Sequence, residues 1–246
     1  MPSAIDLDYP ELTDDFIESS ANVLLDEFSM WSDKHVPVPV RAEVIAEQFL
    51  NYTIDITDQG IFSDPECLGG IIFDENLIKI NSSLESHEGR YNFTIAHEIG
   101  HHVLHKQIYF DLRSDETNRI ICREAGDKPL VEQQADRFAA ALLMPKGAVN
   151  AAFALVDEGS LPSFAPTTRA LRALANKVVV IGGFSNVSNT AMVNRLIDLG
   201  LVSGAKYQTG TPQDFLRRSP NFRWVINNRL SRAAYRLFLW VGEKLK

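Results

Sequence analysis

The sequence predicts an α+β fold, in which a small antiparallel sheet lies among helices. Apolar residues recur with a helical period in several segments, which is the pattern of helices that bury one face. Residues 54–56 and 78–80 instead alternate between isoleucine and polar residues, and residues 68–73 form a short apolar run, as in strands. Residues 74–76 are suited to a hairpin turn between the last two strands.

The helical pattern can be followed in order along the chain. Asp14 and Asp15 place negative charge where a helix begins, and Pro145 and Gly200 are typical of positions that follow a helix end. Residues 106–131 interrupt the pattern as a polar insertion. The predicted helices cover about residues 16–31, 41–50, 91–104, 131–144, 167–176, 189–199 and 223–245.

Composition excludes several classes of protein. The 246 residues are 45% hydrophobic and 23% charged, which is ordinary for a folded chain and atypical of a disordered one. We find neither a secretory signal nor an apolar run long enough to span a membrane, so we expect a soluble cytoplasmic protein. Cys67 and Cys122 cannot form a disulfide framework or a four-cysteine zinc site. We expect both to be inert apolar residues, with Cys122 as an inhibitory zinc ligand the minor alternative.

An H-E-x-x-H motif, His97-Glu-Ile-Gly-His101, lies on the predicted helix 91–104. Residues four apart share a helix face, so His97 and His101 can bind one metal ion. Glu98 lies about 100° around the helix, where its carboxylate can accept a proton from the attacking water. We therefore predict a catalytic metal site; histidines that merely pack on the helix are the alternative.

The third ligand of this site must come from elsewhere, because a catalytic zinc ion usually has three protein ligands. His105 continues the spacing, but His97 to His105 spans about 12 Å of helix, too far for bonds of about 2 Å. Glu132, near the start of the next predicted helix, is the better choice. Asp136 lies one turn later on the same face and is expected to accept a hydrogen bond from a ligand imidazole. An ordinary acidic helix start is the alternative for this pair.

Two segments together resemble the ImmA/IrrE family of metallopeptidases. They read RYNFTIAHEIGH at residues 90–101 and EQQADRFAAALLMP at residues 132–145. Further similarity at 41–50, 78–81 and 187–201 extends the resemblance over roughly residues 36–202.

The resemblance implies a zincin-like core and a role for each matched residue. His97, His101 and Glu132 would bind Zn²⁺, although Mn²⁺ or Fe²⁺ is not excluded, and Glu98 would be the general base. The implied substrate is a cytoplasmic helix-turn-helix repressor, whose cleavage releases stress, phage or mobile-element genes.

The motif does not identify a donor for the oxyanion of the tetrahedral intermediate. Candidates for this role or for substrate contact are His102, His105, Tyr109 and Arg90, and the sequence does not choose among them. Exposure to solvent is the alternative for His102, and packing at the helix end is the alternative for His105.

Charge is divided unevenly along the chain. Residues 1–166 carry a net charge of −18 and residues 167–246 carry +10, with a loop-like break at 158–166. We predict an N-terminal helical extension over 1–35, the metallopeptidase domain over 36–160, and a basic, helix-turn-helix-like module over 167–246. Its candidate contacts to DNA or an acidic partner are Arg195, Arg229, Arg232 and Arg236. Structural packing of the module and ion pairing with the acidic half are the alternatives.

Two functions from different classes follow. The leading one is a zinc-dependent endopeptidase that cleaves a repressor. The alternative is a DNA- or protein-binding regulator, such as a toxin–antitoxin-like partner, with a structural or vestigial metal site. Glu98 favours the enzyme, because a structural site has no need of a base.

Overall fold

A computed structural model describes residues 8–33, 38–58, 67–112, 120–122, 129–156 and 168–202. Its strands are β1 (Thr53–Thr57), β2 (Gly69–Ile72), β3 (Leu77–Asn81) and β4 (Ile120–Cys122). Its helices are α1 (Asp14–Ser32), α2 (Ala42–Val44, continued by a π-helical turn over Ile45–Phe49), α3 (Glu88–Leu112), α4 (Leu130–Leu143), α5 (Lys146–Ala154), α6 (Thr168–Gly182) and α7 (Asn189–Asp198). The predicted α+β class is confirmed. The predicted helix 223–245 lies outside the described residues.

The sheet has the strand order β1-β3-β2-β4. β2 and β3 form the predicted hairpin, whose turn ends at Asn76 with a φ of 47°. β1, however, pairs with β3 in parallel, so the prediction of an antiparallel sheet is wrong for this strand. Alternating hydrophobicity shows which face of a strand is buried but carries no information on the direction of its neighbour.

The sheet and α4 cover α3 and create the core around it. Alternate β3 residues, Ile78 and Ile80, are fully buried, as are Ile95 and Ile99 of α3. α3 packs on β2, on β3 and, most extensively, on α4. Residues 94–101 of α3, which include the H-E-x-x-H motif, are therefore held in the interior.

The N-terminal helix α1 belongs to this same core. Thr13 caps it by accepting a hydrogen bond from the backbone N–H of Phe16, at 3.3 Å. Ile17, Ala21 and Leu24 point inward at helical spacing, and α1 packs against α4. The segment predicted as an N-terminal extension thus supports the helix that carries Glu132.

α3 continues about two turns beyond the predicted end at residue 104. Tyr109 stabilises the added turns because it is fully buried and packs against Phe73, with 5.1 Å between the ring centroids. Part of the segment predicted as a polar insertion is therefore helix, and another part of it, Ile120–Cys122, is the short strand β4.

The chain divides into two compact units, Met1–Pro145 and Lys146–Lys246. In the second unit α6 packs against α5 and α7, and it continues six residues beyond the predicted helix end at residue 176. Ser188 caps α7 and Gly200 follows it with a φ of 65°. The predicted domain boundaries stay predictions. Within the described ranges, no helix combines the length and hydropathy that crossing a membrane requires.

Candidate metal centre

Two helices bring the candidate ligands together. α3 carries His97 and His101, and α4 carries Glu132 near its first turn. The helices approach closely at Gly100, where a Cβ atom would lie 3.2 Å from the Cα and carbonyl oxygen of Ala135. A glycine at this position therefore allows the contact that places Glu132 opposite the two histidines.

The three candidate side chains converge on one point. The Nε2 atoms of His97 and His101 are 3.0 Å apart. Oε2 of Glu132 is 3.1 Å from Nε2 of His97, and its Oε1 is 3.1 Å from Nε2 of His101. Donors on a tetrahedron with bonds of about 2.05 Å are about 3.3 Å apart, so this spacing fits a tetrahedral ion to within a few tenths of an ångström. The buried group can hold a metal ion.

Protonation in this cluster follows from burial and from its carboxylates. Burial disfavours the charged form of His97, but Glu132 and Asp136 outweigh it and raise the pKa of His97 to about 9. Burial lowers the pKa of His101, and Glu132 opposes this only in part. Burial works against ionisation of Glu132 as well, yet the two imidazoles hold its pKa well below the usual range. The arrangement favours positive charge between the three side chains, from a proton or from a metal ion.

Asp136 makes the contact that its position on α4 suggested. Its Oδ1 lies 2.9 Å from Nδ1 of His97, so Nδ1–H donates to the carboxylate when Nε2 faces the cluster. A carboxylate in this position fixes the tautomer of an imidazole ligand and raises its basicity. Asp136 is partly exposed, at 26% of its side chain, whereas His97 is fully buried.

Glu98 is buried beside the cluster, next to His97 on α3. A Cβ atom at Gly69 of β2 would lie 3.1 Å from Oε1 of Glu98 and 2.4 Å from Cγ2 of Thr94. The strand can pass this close to α3 only because residue 69 has no side chain. Gly69 therefore borders the space that the Glu98 carboxylate occupies.

His102 and His105 lie away from the converging atoms. Nδ1 of His102 is 2.9 Å from the hydroxyl of Tyr52, and burial, assisted by Lys106, lowers its pKa to about 4. Nδ1 of His105 is 3.0 Å from Nδ1 of His101, and its Nε2 is 2.9 Å from Oε1 of Gln134. Burial, chiefly, lowers the pKa of His105 to about 3. Both nitrogens of His105 face protein groups, so its predicted contact with substrate or oxyanion is wrong.

Tyr109 and Arg90, the other two candidates for substrate or oxyanion contact, differ in their exposure to solvent. Tyr109 is fully buried and lies eight residues after His101, about 12 Å along the helix, and its contact with substrate or oxyanion stays a prediction. Arg90 is exposed and lies about 10 Å before His97 on the same helix face. Its contact with substrate stays a prediction.

Of the four arginines predicted to contact nucleic acid or a partner, the described part of the second unit includes Arg195. Arg195 is only 4% exposed, which contradicts its predicted contact with nucleic acid or a partner. Its aliphatic neighbours Met192, Val193 and Leu196 are also buried, as expected for a helix that packs within a module. Arg229, Arg232 and Arg236 lie outside the described residues.

Three parts of the centre were missed in the sequence. Gly69 could have been recognised, because a glycine pair inside an apolar strand signals close backbone approach. Gln134 lies between the two acidic residues of α4, and no pattern in the sequence indicates its contacts. Its partner, the backbone carbonyl of Pro10, is 124 residues away and has no local signal.

Comparison with known proteins agrees with this geometry. Residues 72–157 match the Peptidase_M78 family, described as the IrrE N-terminal-like domain. None of the curated proteins matches the chain. The matched range includes both helices that carry the converging side chains. Residues 72–157 are therefore similar to the IrrE N-terminal-like domain, which confirms the predicted resemblance to the ImmA/IrrE metallopeptidases.

Proposed function

We propose that this protein is a zinc-dependent endopeptidase that cleaves a cytoplasmic helix-turn-helix repressor and so relieves repression of stress, phage or mobile-element genes. The observation that carries the proposal is the buried convergence of His97, His101 and Glu132, with the Glu98 carboxylate beside it on the same helix. The peptidase family domain supports hydrolysis of peptide bonds. The repressor as substrate rests on the resemblance to ImmA/IrrE proteins.

Zn²⁺ is the metal that we favour for this donor set. Two imidazoles and one carboxylate, with a fourth position open to water, are the ligands of several zinc peptidases. Mn²⁺ and Fe²⁺ accept the same donors, so elemental analysis of protein purified without added metal decides among the three.

Each nearby side chain has a distinct part in the proposed reaction. When bound, a zinc ion supplies Lewis acidity that acidifies water and polarises the scissile carbonyl. Glu98 accepts the proton of the attacking water and delivers it to the leaving amine. Asp136 holds Nδ1–H of His97 and thereby keeps Nε2 of that ring as a lone pair toward the cluster. Arg90, exposed on the same face of α3, is a candidate for contact with the substrate.

Co-expression with a candidate helix-turn-helix repressor tests the proposal. We expect repressor fragments with the unmodified protein and none with Glu98→Gln, which keeps the shape of the side chain but removes the base. His101→Ala should lose both cleavage and bound metal. Equal cleavage by the unmodified protein and by Glu98→Gln would refute the peptidase mechanism.

The regulator alternative gives a different result in the same experiments. A protein with a structural metal site would bind zinc and leave the repressor intact, with or without Glu98. A salt-dependent shift of duplex DNA by the full chain would then support binding through the basic C-terminal part.

A further inference from the structure

A hydrogen-bonded chain leads from the metal centre to the N-terminal segment. It starts at Nδ1 of His101, passes through both nitrogens of His105 and the side-chain amide of Gln134, and ends at the carbonyl oxygen of Pro10. Its three distances are 3.0, 2.9 and 2.8 Å. His101, His105 and Gln134 are all fully buried, so water cannot replace the hydrogen bonds among these three side chains; the bond to Pro10 is part-buried.

The hydrogen bond between Gln134 and Pro10 determines which atom donates in each of the other two bonds. The carbonyl of Pro10 can only accept, so Nε2 of Gln134 donates to it and Oε1 of Gln134 faces His105 as an acceptor. Nε2–H of His105 must therefore donate to Gln134, which leaves Nδ1 of the neutral ring as an acceptor toward His101. His101 then carries its proton on Nδ1.

This order determines which atom of His101 faces the metal. With Nδ1–H donated to His105, the lone pair of His101 lies on Nε2, the atom that is 3.0 Å from Nε2 of His97 and 3.1 Å from Glu132. A reversed chain would place a proton on Nε2 of His101 and block that ligand. The Tyr9 ring packs against His105 in a T-shaped arrangement, with 5.2 Å between the ring centroids.

We infer that His105 is a positioning residue, which, with Gln134 and the Pro10 carbonyl, fixes His101 in the tautomer that binds metal. The inference rests on the metal binding of the proposed function but not on the identity of its substrate. His105 would hold Nδ1–H of His101 as Asp136 holds Nδ1–H of His97. The difference is that His105 is a neutral imidazole, held through Gln134 by the Pro10 carbonyl, which precedes α1.

Two substitutions of similar size test the inference in the full chain. In His105→Asn, Oδ1 takes the place of Nδ1 and can still accept from His101; in His105→Leu no acceptor remains. We expect His105→Leu to weaken Zn²⁺ affinity by about 10- to 100-fold, measured by competition with a chromophoric chelator, and His105→Asn to lose only a few-fold. Equal affinity in the two variants, whether reduced or unchanged, would overturn the inference, because packing alone would then explain the result.

Two neighbouring glutamines of α4 provide a matched pair. Gln134→Leu should weaken Zn²⁺ binding, whereas Gln133→Leu, at an exposed position one residue earlier, should leave it unchanged. Equal affinities for Gln134→Leu and the unmodified protein would contradict the inference. This pair also provides the test if His105→Leu does not fold.

A spectroscopic measurement reports the tautomer directly. Nitrogen-15 spectra of the zinc-loaded protein should show a slowly exchanging Nδ1–H on His101 and none on its Nε2. Coordination through Nδ1 would overturn the inference even if cleavage is normal. Conversely, a zinc-loaded protein with the expected tautomer that cleaves no repressor would refute the proposed substrate and leave this inference standing.

Discussion

Substitution of Gly69 by alanine tests how the sheet positions the candidate base. The added Cβ would meet Cγ2 of Thr94 at 2.4 Å, Oε1 of Glu98 at 3.1 Å and Cδ1 of Ile80 at 3.4 Å. Carbon atoms pack best at about 3.5–4.0 Å, so Thr94 or the strand must move by about 1 Å. Thr94 is β-branched and lies on a buried helix face, so rotation of its side chain cannot easily relieve the contact.

The energetic cost has two opposing parts. Overpacking in a close-packed core costs about 1–3 kcal/mol. Replacing glycine in a strand recovers about 0.5–1 kcal/mol of conformational entropy. We expect a net destabilisation of about 1–2 kcal/mol, which corresponds to a drop in Tm of about 2–8 °C for a protein of this size. Because Glu98 is displaced as well, kcat/KM should fall by up to about 100-fold.

A second substitution separates the two contacts. Thr94→Ser removes the Cγ2 atom and keeps the hydroxyl, so Gly69→Ala/Thr94→Ser should recover most of the lost Tm. Activity should recover less, because the contact with Glu98 remains. Gly147→Ala is the control, since a Cβ atom there meets nothing within 4 Å. The reasoning is refuted if Gly69→Ala melts like the unmodified protein, or if the double variant is no more stable than Gly69→Ala.

Three further predictions concern the cluster itself. Gly100→Ala places a Cβ atom 3.2 Å from the backbone of Ala135, so we expect about 1–3 kcal/mol of destabilisation and weaker Zn²⁺ binding; an unchanged Tm would contradict this. Because the pKa of His97 is raised to about 9, Zn²⁺ must displace its proton at neutral pH. Affinity should therefore increase as pH rises toward 9, with about one proton released at pH 7, measured by calorimetry in buffers of different ionisation enthalpy. Asp136→Asn removes the anionic acceptor of His97 and should weaken Zn²⁺ binding about tenfold; a chelator competition that shows no change would argue against that role.

The ligand pair was predictable because helix geometry is local. The four-residue spacing of His97 and His101 determines that both imidazoles share a face, whatever the rest of the fold does. The same geometry argued against His105 as a ligand, and in the structure the nitrogens of His105 contact His101 and Gln134. Glu132 required a non-local argument, from the chemistry of a three-ligand site and an acidic helix start.

What the sequence missed depends on contacts between distant segments. Alternating isoleucines predicted β1 and β3 as strands, but their parallel pairing depends on the order of strands in the sheet. The steric role of Gly69 appears only when β2 lies against α3, and that of Gln134 only when Pro10 lies beside α4. Local patterns therefore predicted which side chains converge, and tertiary packing determined which residues contact them.

Orientation of both ligand imidazoles depends on α4. The same helix that supplies Glu132 holds His97 through Asp136, and holds His101 through Gln134 and His105. A shift of α4 would thus change the position of one ligand and the hydrogen bonds of the other two together. α1 packs on this helix, and Pro10, which anchors Gln134, precedes α1 and lies outside the family-matched residues 72–157. The matched segment contains every candidate ligand, but the hydrogen bonds that orient them extend into the N-terminal segment, so this segment contributes to the candidate metal centre.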